Sequence, residues 1–175
     1  MKKILAVALT LILALAASGS LAEGVPSINV TMIEKVSTDI PEVVIVKTED
    51  TPATEEIKET LMALGSENTL SLIPEEVASM IPEEFTSVNE ISTQKVEGDI
   101  STVEEITVVY TFTVPYAADE KVYLLIGIPM EDGTVEWILL EGQTNEAGDV
   151  VVTYDKEMLA KLGSKEFLVV VINKK

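Results

Sequence analysis

Between residues 106 and 114 the apolar residues recur at every second position, and this period limits the chain more than any other feature. In Ile106, Val108, Tyr110, Phe112 and Val114 the alternation is regular, with Thr107, Thr111 and Thr113 between, which predicts a strand with one core face. A polar turn at Asp119-Glu120 leads into a strand over Val122 to Ile128. Glu131-Asp132-Gly133 supplies a tight turn of the Asp-Gly kind before a strand from Thr134 to Leu140, so the two should form a hairpin. A polar connection over Gly142 to Gly148 precedes a strand at Val150 to Tyr154. Asp155 then caps a short helix bearing Met158, Leu159 and Leu162 and ending at Gly163, and Phe167 to Ile172 closes the chain as a last strand.

The N-terminal half has weaker periods. Thr51-Pro52 starts a helix with Ile57, Leu61 and Leu64 on one face and Gly65 as its stop. Ile-Pro-Glu-Glu occurs twice, at Ile73 to Glu76 and Ile81 to Glu84, each placing proline and two carboxylates where a short helical turn can begin. Residues 23–50 contain apolar fragments such as Val43 to Val46, but Pro26, Pro41 and Pro52 interrupt them, and the segment reads as an extended or weakly structured lead-in.

These elements predict a mainly β fold, an antiparallel β-sandwich of immunoglobulin-like or related type in the C-terminal half with a short helical N-terminal region. The alternative is an α+β arrangement in which helices cover one face of an antiparallel sheet. Residues 51–175 form a single globular domain on this reading, helical over 51–86 and β-rich over 87–175. Val122 to Ile128 and Phe167 to Ile172 have few polar alternates, so their second faces need a cover: the N-terminal helices, an oligomer or a partner. The succession Val114-Pro115-Tyr116, Gly127-Ile128, Val135-Glu136-Trp137, Leu140-Glu141-Gly142 and Asn145 to Val150, followed by a capped helix and an apolar strand, resembles small exported β-sandwich proteins of Gram-positive anaerobes whose role is not established. That resemblance covers the C-terminal half and implies fold and location, with no reaction, ligand or site.

Residues 1–22 have the form of an export signal. Lys2 and Lys3 precede an apolar run from Ile4 to Ala17, and Ser20-Leu21-Ala22 presents a small-x-small cleavage pattern. The apolar run is shorter than the roughly 20 residues of a spanning helix. The expected product is therefore secreted, with no membrane insertion after cleavage, and the chain has no cysteine for disulfides or for a lipid anchor. Roughly 150 residues remain, the size of one ordinary domain. Net charge is -18, made more negative by loss of the two leading lysines, and there is no arginine. Such a field repels phosphate backbones, so nucleic acid is not an expected partner; an extracellular protein or wall polymer is.

Without histidine or cysteine, a Ser-His-Asp triad, a Cys-His pair and histidine-bound zinc or haem cannot be assembled. A lysine-activated serine would fall to Ser164-Lys165, where nothing suggests an oxyanion hole. Glycoside hydrolysis needs two carboxyl groups about 5 to 9.5 Å apart. Glu136 and Glu141 flank Trp137, with Glu131 and Asp132 at the hairpin tip, but a separation of five residues puts them on opposite strand faces. Glu131-Asp132 and Asn145 to Asp149 are oxygen-rich loops without the spacing of a calcium loop, so no metal and no cofactor is assigned. Trp137, Tyr116 and Tyr123 remain as candidate ligand-binding residues, because an exposed ring can stack on a sugar face, while Val135, Trp137 and Leu139 also share the parity of a core face. The function expected is a non-catalytic extracellular binding or structural module, with a carbohydrate-binding module and a carboxylate-pair glycoside hydrolase as rivals. Terminal sequencing of the exported product is expected to begin at Glu23; a product that retains residues 1–22 would overturn the cleavage assignment.

Overall fold

A computed structural model describes residues 32–64 and 69–174. The export signal, residues 23–31 of the lead-in and the helix stop at Gly65 lie outside the described residues. Eight strands are present among them: β1 (Ile33–Thr38), β2 (Val44–Lys47), β3 (Phe85–Glu97), β4 (Glu105–Phe112), β5 (Lys121–Pro129), β6 (Val135–Thr144), β7 (Val150–Asp155) and β8 (Glu166–Lys174). The helices are α1 (Pro52–Ala63), α2 (Glu75–Ala78) and α3 (Lys156–Leu162), with a 3-10 turn at Thr69–Leu72. The fold is mainly β and antiparallel, as expected, but the strands form one sheet in the order β1-β4-β7-β6-β5-β8-β3-β2, nearly closed into a barrel.

Two apolar clusters explain why β5 and β8 are apolar throughout. Val122, Leu124, Ile126, Ile128, Phe167, Val169 and Val171 point into the sheet's concave interior with Ile106, Val108, Tyr110 and Val152. Their alternates Tyr123, Leu125, Val170 and Ile172 form a second cluster with Leu61 of α1, Ile73, Ile81 and Phe85. Of the covers open from sequence, the chain's own helical segment is the one observed. Its first helix is started by local chemistry: Pro52 occupies the first turn of α1, and Thr51 and Thr54 cap each other's backbone N–H groups.

The second Ile-Pro-Glu-Glu copy differs from the first. Glu75–Ala78 is helical, whereas after Ile81 the chain makes only a turn, closed by Phe85 N–H to Pro82 O at 2.9 Å, before β3 begins. Phe85 is buried in the outer cluster, and that anchor draws the segment into the sheet.

The lead-in also departs from expectation. Residues 33–38 and 44–47 are strands, and Ile33, Val43 and Ile45 belong to the inner core. Pro41 sits in the turn between them, where it costs no ladder bond. β1 pairs with β4 and β2 with β3, so this short strand–turn–strand segment supplies both ends of the sheet. Across the resulting seam, Ile33 N–H donates to Glu90 Oε2 and Lys47 Nζ donates to Ile33 O, while Lys47 and Glu90 pair at 3.0 Å. The ion pair occupies edge groups that would otherwise lack a strand partner.

A second opening lies between β6 and β7, which pair only at Gln143↔Val151 and Thr144↔Val150. At Gly142 a Cβ would lie 2.6 Å from Val150 Cγ1, so β6, separate from β7 over its earlier residues, closes on it at a point that favours glycine. Asp155 ends β7 by accepting from Met158 N–H at 2.8 Å, and α3 sends Met158, Leu159 and Leu162 into the inner core beside the gap. Gly163 closes α3 at φ 49°, as the sequence predicts.

Leu61→Ala is expected to remove roughly 2 to 5 kcal/mol of stability by opening the outer cluster. Met62→Ala, on the exposed side of the same helix, should cost less than about 0.5 kcal/mol. Denaturant unfolding of the two variants checks this; equal losses would mean that α1 is not the cover of β5 and β8.

Candidate functional site

The three candidate aromatic residues do not converge. Trp137 and Tyr123 lie on the outer face of the β6–β5 pair, in register with Gly127 and Glu141. The indole of Trp137 lies over Gly127, where an added Cβ would be 2.6 Å from the ring, and it packs half-buried against the outer cluster. Tyr123 is buried, edge-on to Phe85 at 4.7 Å between ring centroids, with its hydroxyl donating to Glu141 at 3.4 Å. Burial, followed by the negative charge of Glu141, raises the Tyr123 hydroxyl above its ordinary value. Tyr116 packs instead against the inner cluster, edge-on to Phe112, and donates to Asn173 Oδ1 at 3.0 Å.

Glu136 and Glu141 occupy opposite faces of β6, each with its own lysine. Glu136 pairs with Lys161 of α3 at 3.0 Å, and Lys161 also reaches Glu157 at 3.1 Å. Glu141 pairs with Lys121 at 2.6 Å, and that contact holds its carboxyl below the usual carboxylate range. The two oxygen-rich loops are organised by their own backbones. Asp132 Oδ1 accepts from the N–H and hydroxyl of Thr134, and Asn145 Oδ1 accepts from the N–H groups of Ala147 and Asp149. Among the described residues no group of three or more acidic side chains is arranged to hold a metal ion. Ser164 and Lys165 are both exposed in the turn after α3.

Two arrangements were not foreseen from sequence. Beside the seam, a cleft of about 420 Å³ is lined by Lys47, Glu90, Asp50, Lys58 and Thr93. Asp50 accepts from Thr93 Oγ1 and from Lys58 Nζ at 2.9 Å, which ties α1 to β3 and lowers the Asp50 carboxyl's affinity for protons, chiefly through Thr93. Two ion pairs, Lys47–Glu90 and Lys58–Asp50, thus lie within the cleft, which Glu49 also lines. Its residues come from β2, the connection after it, α1 and β3, and no local spacing announces them.

The second is a polar chain inside the otherwise apolar core. Tyr110 Oη and Tyr154 Oη are 2.5 Å apart, Tyr110 donates to Gln94 Oε1 at 3.2 Å, and Gln94 Nε2 donates to Ser92 Oγ at 3.0 Å. Tyr110 has one hydroxyl proton and directs it to Gln94, so Tyr154 must donate to Tyr110. The chain is directional and satisfies groups that would otherwise be costly to bury. The alternation of Tyr110 and Tyr154 in their strands was visible; the glutamine opposite them on β3 was not.

Compared with known proteins, the chain matches no family model, no curated protein and no solved structure. Among the described residues no helix is long and apolar enough to cross a membrane.

Burial pushes both core tyrosines up, Tyr110 well above the ordinary value of 10.0, with Tyr154 adding to its shift. In the unfolded chain both ionise near the ordinary value, so above it the unfolded state binds fewer protons than the folded one. Stability is therefore complete below about pH 10 and falls as pH rises toward the raised folded values. Ultraviolet titration of the four tyrosines is expected to show two that ionise only as the protein unfolds. Tyr110→Phe together with Tyr154→Phe should remove that component; four freely titrating tyrosines would overturn the buried chain.

Proposed function

We propose that this chain is an exported, non-catalytic β-rich module that acts outside the cell as a binding or structural protein. The observation that carries this reading is the separation of the candidate carboxylates: Glu136 and Glu141 lie on opposite faces of one strand and are each tied to a lysine. A carboxylate-pair hydrolase needs two such groups facing one substrate. The sugar-binding rival loses support from Trp137, whose ring is occupied by the backbone at Gly127 and by the outer cluster.

The export pattern of residues 1–22 supports the location, and the resemblance to small exported β-sandwich proteins belongs to the same proposal. On this reading the sheet works as a sandwich of two leaves. β1-β4-β7 makes one and β6-β5-β8-β3-β2 the other, joined by the two-residue ladder between β6 and β7 and by the turn and ion pair at the seam. Strongly acidic character then favours partners with basic or neutral surfaces over anionic polymers.

Crosslinking on intact producing cells, followed by mass spectrometry of what copurifies, tests the reading. A specific protein or wall polymer, enriched over a variant with scrambled surface residues, is the expected result. A lone monomer without an enriched partner would overturn it.

A further inference from the structure

We propose that the free edge of β6 docks an extended, basic strand from a partner protein. This rests on the binding-module reading and gives it a location. On one side β6 pairs with β5 from Val135 through Gln143; on the other it meets β7 only at Gln143 and Thr144. Along residues 135–142, backbone groups directed toward the gap therefore have no strand partner among the described residues. Such a row is a template for another strand.

The edge has little of the protection that exposed edges usually carry. Trp137-Ile138-Leu139-Leu140 is apolar throughout, with no proline and no bulge, and charge appears only at Glu136 and Glu141. Beside it is a cleft of about 270 Å³, where Ile138, Leu140 and Met158 offer apolar surface. A strand seated on the edge would gain main-chain bonds from β6 and place alternate side chains toward that surface.

Charge selects the occupant. Glu131, Asp132, Glu136, Glu141 and Glu157 surround the edge, and Lys121 and Lys161 offset only part of them. A second copy, paired edge to edge about a twofold axis, would bring the same carboxylates together on molecules of charge -18. A strand with lysine or arginine between apolar residues meets the opposite field. It would bind more weakly as salt rises.

The test uses the full chain and three short synthetic peptides: alternating lysine and valine, the same peptide N-methylated along its pairing edge, and alternating glutamate and valine. Site-resolved amide hydrogen exchange is the readout. The lysine–valine peptide is expected to slow amides within residues 135–142 by about tenfold or more, while the other two leave them unchanged. Glu131→Lys with Asp132→Lys, at the turn and off the strand, should weaken that protection several-fold. Full protection in the isolated chain would overturn the proposal: if it depends on concentration a second copy covers the edge, and if not the chain itself does. An equal response to the glutamate peptide would also overturn it. If no peptide acts while cell-surface crosslinks fall on another face, the docking edge fails and the binding-module reading stands. If crosslinking enriches nothing, the wider reading fails on its own evidence.

Discussion

Burial of β5 and β8 on both faces is the constraint from which the rest of this architecture follows. A sheet with one wet face can remain open, but strands whose alternates are Tyr123, Leu125, Val170 and Ile172 need a second layer. The concave side is filled by curling the sheet around branched side chains such as Leu124, Ile126 and Val169, and the convex side by α1, the 3-10 turn and α2. Everything peripheral has looser packing. β6 is only half-buried over Val135–Leu140, and the seam between β1 and β2 is held by an ion pair instead of a ladder.

The parts legible from sequence are those with local causes. The alternation of β4, the Asp-Gly hairpin between β5 and β6, the Asp155 cap and the Gly163 stop each follow from residues within one turn of one another. β3 gave no comparable signal, although it is the longest strand at 13 residues. Its inward positions include Ser92 and Gln94, so its pattern is polar where a strand's core face should be apolar. Those residues are buried only because Tyr110 and Tyr154 arrive opposite them from distant strands. β1 and β2 were obscured for a related reason: Pro41 reads as a breaker until the turn that contains it is seen.

The site was less legible than the fold. Trp137 has the parity of a core residue and the chemistry of a binding residue, and its half-buried ring lies over Gly127, a contact that no local spacing shows. The opposite orientations of Glu136 and Glu141 were deducible because strand parity is a local property. The Lys47–Glu90 clasp, the Asp50–Thr93 link and the gap between β6 and β7 depend on pairings across the whole chain. No spacing rule encodes them.

The position of β8 has a consequence for how the molecule can be made. It is the last element in sequence, yet it lies between β5 and β3 in the sheet, pairing with both. A nascent chain therefore lacks a central plank of this sheet until β8 has been made, and β3 must wait for a partner that follows it only after four other strands. The sheet cannot be completed before β8 is available, and truncation within β8 would strike the middle of the structure, not its fringe.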